Sequence, residues 1–123
     1  MLNFDDYTRA IDDRGKLFAF NKLQQFDIKR VYLIEPEKNI WRGKHFHKEC
    51  TQIVLVFNGE LFCKVINENT KEVNEFVMPA GTSFCQTPGL AFCFKANLED
   101  TKILVLSNRE FDKNDYYEVS LGV

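Results

Sequence analysis

Two histidines, the only ones in the chain, stand two residues apart in Arg42-Gly43-Lys44-His45-Phe46-His47-Lys48. In an extended strand residues i and i+2 point to the same face, so both imidazoles look one way. If that face lines the inside of a barrel, two groups that titrate near about pH 6.5 share one cavity, which suits a proton shuttle close to neutrality. If it faces solvent, Lys44 and Lys48 make the stretch an ordinary charged surface strand. The surrounding spacing decides between the two.

Elements able to hold such a pair are written along the chain. Short runs of β-branched and aromatic residues at 28–35, 52–57, 60–67, 72–78, 90–96 and 103–107 are separated by Gly, Pro, Asn and Asp. Asn58-Gly59 lies between two of them and predicts a type I′ hairpin, since both residues tolerate positive φ. Asn67-Glu68-Asn69-Thr70 separates the next pair, and Pro79-Ala80-Gly81 closes the one after. No segment keeps a helical period long enough for a sizeable helix. Many short strands with regular turns imply an all-β sandwich or barrel.

Length and composition agree with one domain spanning residues 1–123. Apolar residues make up 45% of the chain, with 12 Phe, enough for a buried core. A charged fraction of 28% and a mean hydropathy of −0.29 belong to a soluble globular protein. No run approaches the roughly 18 apolar residues of a membrane span. Asp5 and Asp6 fall where a signal peptide wants positive charge, so the expected location is the cytoplasm. The net charge is −2 and the basic residues are scattered, which argues against a nucleic-acid partner. Cys50, Cys63, Cys85 and Cys93 form no Cys-x-x-Cys pair and are read as buried thiols rather than disulfides or zinc ligands.

The spacing from His45 and His47 through Gln52 to Gly59 is similar to the first cupin motif, with Gln52 where metal-binding cupins place a glutamate. The turn Thr87-Pro88-Gly89 is followed by Leu90 to Phe94 with no third histidine. A transition-metal site needs three or four N, O or S ligands, so two histidines and a neutral amide imply a metal-free cupin. More specifically, the chain resembles the sugar 3,4-ketoisomerase family of cupins (FdtA-like or WxcM-like). Asp12-Asp13-Arg14-Gly15-Lys16-Leu17 resembles its Asp-x-Arg-Gly-x-Leu opening, and Ile28-Lys29-Arg30-Val31-Tyr32 its Ile-Lys-Arg-Val-Tyr strand. Arg42 to Lys48 resembles its Arg-Gly-x-His-x-His-Lys core, and Phe111-Asp112 with Asp115-Tyr116 its closing segment. Two departures stand out: Ala91-Phe92-Cys93 replaces the family's Trp-His-Glu, and Tyr117-Glu118 replaces a basic residue after the closing Tyr.

The resemblance implies a jelly-roll cupin barrel that converts a dTDP-4-keto-6-deoxy-hexose to its 3-keto isomer through an enediol, without a cofactor. His45 and His47 become the acid–base pair, their order left open. Tyr32 would donate a hydrogen bond to an enediolate oxygen, or else is a plain strand aromatic. Arg14, Arg30 and Arg42 would hold diphosphate or sugar, guanidinium forks being suited to phosphate oxygens. Gln52 and Tyr116 complete the expected substrate contacts. Phe84, Phe92 and Phe94 are read as core, whereas Trp41 either lines the mouth or anchors a loop. The implied assembly is a homodimer exchanging an N-terminal strand, residues 1 to 11. The competing readings are a related sugar epimerase, a non-catalytic cupin that binds a nucleotide sugar, and a metal-dependent cupin.

Overall fold

The computed structural model describes residues 7–20 and 26–119. Two antiparallel sheets face each other as an all-β jelly-roll barrel. One sheet is built from β3 (Arg30–Ile34), β10 (Lys102–Ser107), β5 (Gln52–Asn58) and β8 (Thr82–Gln86), in the order β3-β10-β5-β8. The other runs β7-β6-β9, from β7 (Val73–Pro79), β6 (Glu60–Asn67) and β9 (Leu90–Ala96). Alternation along each strand sends Val54, Val56, Ile103 and Val105 inward to meet Leu61, Cys63, Val65, Met78, Phe92 and Phe94. Phe84 stacks on Phe92 at 5.0 Å, so the phenylalanine run packs the interior as expected. Both faces of β5 are buried, because Ile53 and Leu55 pack outward against Phe26, Leu106 and Phe20.

The Asn58-Gly59 hairpin expectation is corrected by this topology. β5 and β6 pair with different strands in opposite sheets, so the turn carries the chain across the barrel instead of back along one sheet. Gly59 alone takes the left-handed conformation there, at φ 79°. A Cβ on it would lie 2.2 Å from Thr101 Oγ1, and Asn58 Nδ2 donates to the Asp100 carbonyl at 2.7 Å. Close packing at a corner, not an I′ turn, is what this Asn-Gly serves. The turn at 67–70 does form a hairpin, with Asn67 Oδ1 accepting from the N–H groups of Asn69 and Thr70.

Before the barrel, β1 (Tyr7–Asp12) and β2 (Gly15–Phe20) form a separate antiparallel hairpin. Of the segment expected to exchange between subunits, residues 1–6 lie outside the described residues, and the rest belongs to β1. Two short strands, β4 (His45–Phe46) and β11 (Tyr117–Glu118), pair with each other. The four cysteines are free thiols; three are buried and Cys85 is partly so. Among the described residues no helix is long and apolar enough to cross a membrane.

Candidate active site

The histidine pair sits where β4 crosses the open end of the barrel. Gly43 makes that approach possible. At φ 99° it brings the backbone so near β9 that a Cβ would lie 2.2 Å from the Phe92 carbonyl oxygen. Arg42 and Phe94 exchange backbone hydrogen bonds at 2.8 and 3.0 Å on one side of this glycine. On the other, Lys44 N–H donates to Cys93 Sγ at 2.9 Å. β11 pins β4 from the opposite side, pairing Glu118 with His45 and Tyr117 with Phe46.

The two imidazoles are held differently. Their rings meet edge to face at 5.1 Å, and Tyr116 packs against both, 4.7 Å from His45 and 4.6 Å from His47. His45 lines a cavity of about 130 Å³ inside the barrel and also an open cleft of about 520 Å³ at its mouth, so it stands at their junction. His47 is 2% exposed. Its Nδ1 is 2.9 Å from the Asp115 carbonyl oxygen, while its Nε2 is buried with no hydrogen-bond partner. Burial holds both below the ordinary histidine pKa; the His47 neighbour adds to this for His45, and Asp115 partly offsets it for His47. Near neutral pH both rings are uncharged.

β3 turns Arg30, Tyr32 and Ile34 inward. Arg30 Cζ lies 4.2 Å over the Tyr32 ring, and its Nη1 donates toward Tyr116 Oη at 3.4 Å. Tyr32 Oη donates to Gln52 Oε1 at 3.1 Å, an oxygen that also accepts from Ser107 Oγ at 2.8 Å. Gln52 Nε2 donates in turn to Gln86 Oε1 at 3.2 Å, and Gln86 Nε2 to the Leu90 carbonyl at 2.9 Å. Burial, chiefly, pushes the Tyr32 hydroxyl up to about 12, so it stays protonated. Arg42 and Gln86 share the inner cavity with Tyr32 and His45, and the apolar side chains of Phe92, Phe94, Val54 and Ile103 close it behind them.

The structure thus brings together seven of the eight residues singled out from the sequence: His45, His47, Tyr32, Arg30, Arg42, Gln52 and Tyr116. Arg14 is apart from them. It sits on the tip of the β1–β2 hairpin with its side chain 90% exposed, bonded to Asp12 at 2.7 Å. Trp41 packs edge to face on Phe62 at 5.9 Å under Lys95, which makes it a loop anchor. Sequence reasoning gave no role to Asp115, Gln86 or Ser107. Asp115 had a signal in its place in the closing segment, whereas Gln86 and Ser107 had none. Among the described residues no three His, Cys, Asp or Glu side chains gather as a ligand set for a metal.

Comparison with known proteins follows the same lines. The family described as FdtA (WxcM-like, C-terminal) matches residues 2–120. The chain is 30% identical over 115 residues to a TDP-4-oxo-6-deoxy-alpha-D-glucose-3,4-oxoisomerase of Aneurinibacillus thermoaerophilus, covering 90% of this chain and 81% of that one. It is similar to the solved structure of QdtA, a sugar 3,4-ketoisomerase from Thermoanaerobacterium thermosaccharolyticum in complex with TDP. There the identity is 27% and the TM-score 0.76, over 89% of this chain and 82% of the other. The 3'-monoepimerase ChmJ of Streptomyces bikiniensis matches with a TM-score of 0.81 at 16% identity, over 94% of this chain and 67% of that one, a likeness of fold alone.

Proposed function

The chain belongs to the FdtA, WxcM-like C-terminal family, and from that premise we propose that it is a nucleotide-sugar 3,4-ketoisomerase acting on a dTDP-4-keto-6-deoxy-hexose. The observation that carries this reading is the placement of a neutral His45 at the neck between a small apolar-backed cavity and an open cleft, with the His47 ring packed against it at 5.1 Å. The inner cavity suits the deoxysugar ring, whose 6-methyl group would face Phe92 and Ile103. The outer cleft, bordered by Lys44 and Lys113, suits the diphosphate and nucleoside.

Moving the ketone from C4 to C3 needs a base for the C3 proton, an acid for C4 and a donor for the enediolate oxygen. His45 and His47 supply the first two, and a positioned acid–base group typically contributes roughly 10²–10⁴-fold. Arg42 at the inner cavity and Arg30 over the Tyr32 ring are the cationic donors. Tyr32 holds its own hydroxyl proton on Gln52, so it turns to an oxyanion only by releasing that bond. Since Gln52 Oε1 already accepts two hydroxyl protons, the pair works without a metal or cofactor in this reading.

The protein acts as a homodimer in the cytoplasm, a compartment that matches its free thiols. Val31 and Leu33 leave an apolar strip on the outer face of β3, 55% and 66% exposed, and Ile11 and Leu17 do the same on the hairpin. A second copy covers such surface, and Arg14 on the hairpin tip meets substrate only in that copy's site.

Proton NMR of the protein with dTDP-4-keto-6-deoxyglucose in deuterated buffer tests the activity. Deuterium entering C3 or C4 with a new 3-keto signal, lost in His47→Asn, is the expected result. A non-catalytic sugar-nucleotide binder is the second reading, favoured by Phe92, an apolar ring in the cavity wall where the family carries its second-motif histidine. Binding of the nucleotide sugar with no exchange would establish that reading and overturn the first.

A further inference from the structure

We infer that Gln86 is a further catalytic residue of this site, whose side-chain amide donates a hydrogen bond to the substrate's carbonyl oxygen and holds it as it becomes an enediolate. The inference rests on the ketoisomerase reading for its reaction and on the amide's own contacts for its geometry. Gln86 ends β8, directly across from Gln52 at the start of β5. The alternation that turns Val54 and Phe84 into the barrel turns both glutamines inward as well. Gln86 is 3% exposed, yet it lines the inner cavity of about 130 Å³ together with Tyr32, Arg42 and His45.

Which end of this amide faces which neighbour is fixed from the backbone. The Leu90 carbonyl oxygen can only accept, so the Gln86 atom 2.9 Å from it is Nε2. Gln86 Oε1 then faces Gln52 at 3.2 Å, and Gln52 must meet it with Nε2. That leaves Gln52 Oε1 to accept from Tyr32 Oη at 3.1 Å and Ser107 Oγ at 2.8 Å, two hydroxyls with a proton to give. The reversed row would set two carbonyl oxygens against each other at Leu90, inside the barrel. Each member therefore holds the next, and the Gln86 amide cannot turn over. Its Nε2 carries two protons, of which the Leu90 carbonyl takes one. The other has no partner among the described residues, and the cavity is the space that Gln86 borders.

An enediolate needs a donor that is in place before the substrate arrives and keeps its proton throughout. Around the cavity, Tyr32 has its proton on Gln52, and His45 is there to exchange protons. The free Gln86 N–H is neutral, uncommitted and far too weak an acid to be lost. As the C3–H bond breaks, its electron pair forms the C3–C4 double bond and the carbonyl pair moves to O4. Gln86 Nε2–H donates to O4 before and after, and no proton leaves the amide. Phe92, Phe94, Val54 and Ile103 make the surroundings apolar, so this bond strengthens as negative charge grows on the oxygen.

Gln86→Glu separates this role from a structural one. A protonated carboxyl there gives its single O–H to Leu90 and accepts from Gln52, so the row survives and only the second N–H is lost. Burial beside a carbonyl oxygen favours that protonated form. The variant should unfold at close to the wild-type urea midpoint and lose about 10²–10³-fold in kcat with dTDP-4-keto-6-deoxyglucose. KM should change far less, because the bond gains most as charge develops. A second readout keeps Gln86 intact. In ¹⁵N-labelled His45→Asn, which holds the ketone without turning it over, the free Gln86 Nε2 proton should move downfield on adding the keto sugar and stay in place with dTDP alone. A proton unmoved in the bound complex overturns the inference whether or not the Gln86 variant folds, as does a folded Gln86→Glu enzyme with unchanged kcat. A shifted proton together with a wild-type protein that does not isomerise the sugar would overturn the ketoisomerase reading and leave Gln86 as a donor to the bound ketone.

Discussion

At the scale of single residues, the site depends on a chain of amides behind it. Gln52 Oε1 accepts hydrogen bonds from Tyr32 and Ser107 and its Nε2 donates one to Gln86, with Gln52, Gln86 and Ser107 buried. Replacing Gln52 by Leu strands two hydroxyls and one amide oxygen, and is expected to cost about 2–4 kcal/mol in urea unfolding. Tyr32→Phe removes only one donor and keeps the ring beneath Arg30; it should fold normally and lose roughly tenfold or less in kcat. A loss of many orders of magnitude would instead make Tyr32 an obligatory proton donor. The histidines, Tyr32, Arg30 and Gln52 were legible in the sequence because their types carry chemistry and their alternation gives a shared face. Gln86 and Ser107 were not, since a lone amide or hydroxyl in a strand has no distinguishing pattern until its partner is known.

Strands and turns show the same division. The apolar runs that became β6 and β9 were readable to the residue, β6 because burial falls on alternate positions and β9 because its apolar run is continuous between turns. β8 and β11 were not, being two to five residues long and largely polar, and held by pairing rather than by their own burial, while the strand expected to carry both histidines is shorter than expected and ends at Phe46. Asn58-Gly59 misled for a related reason: a glycine needed for positive φ looks alike at a hairpin and at a crossover. Its environment distinguishes them. Gly59→Ala should destabilise the fold by about 2 kcal/mol or more, from left-handed backbone cost plus the clash with Thr101. Gly43→Ala should behave differently. Its obstacle is the backbone oxygen of Phe92, so β4 must lift from β9 and carry His45 with it, and activity should fall further than stability does. Equal losses measured by unfolding and by turnover would contradict this.

For the whole molecule, acidity is the revealing variable. The folded pKa values of His45 and His47 lie below 6.5, so below that pH the unfolded chain binds protons that the folded one refuses. Stability is therefore full above about pH 6.5 and declines as pH falls toward the folded values, where this contribution levels off. Asp115, itself lowered beneath 3.8, adds a second loss at more acid pH as it is protonated. Melting temperatures from pH 8 to 4 should show the first decline, flattened in a variant with both histidines changed to Asn. The exposed strip at Val31 and Leu33 gives the other whole-molecule expectation: sedimentation at micromolar concentration should return a dimer mass, and Leu33→Lys should shift it toward monomer. A monomeric wild-type protein would remove the second copy from the scheme. One consequence concerns time during synthesis. His47 and the Asp115 carbonyl beside its ring are 68 residues apart, so a ribosome adding about 5–20 residues per second makes the histidine several seconds before its partner. Through that interval the nascent chain holds His47 without the neighbour that buries its Nδ1, and the site is complete only when the late segment docks.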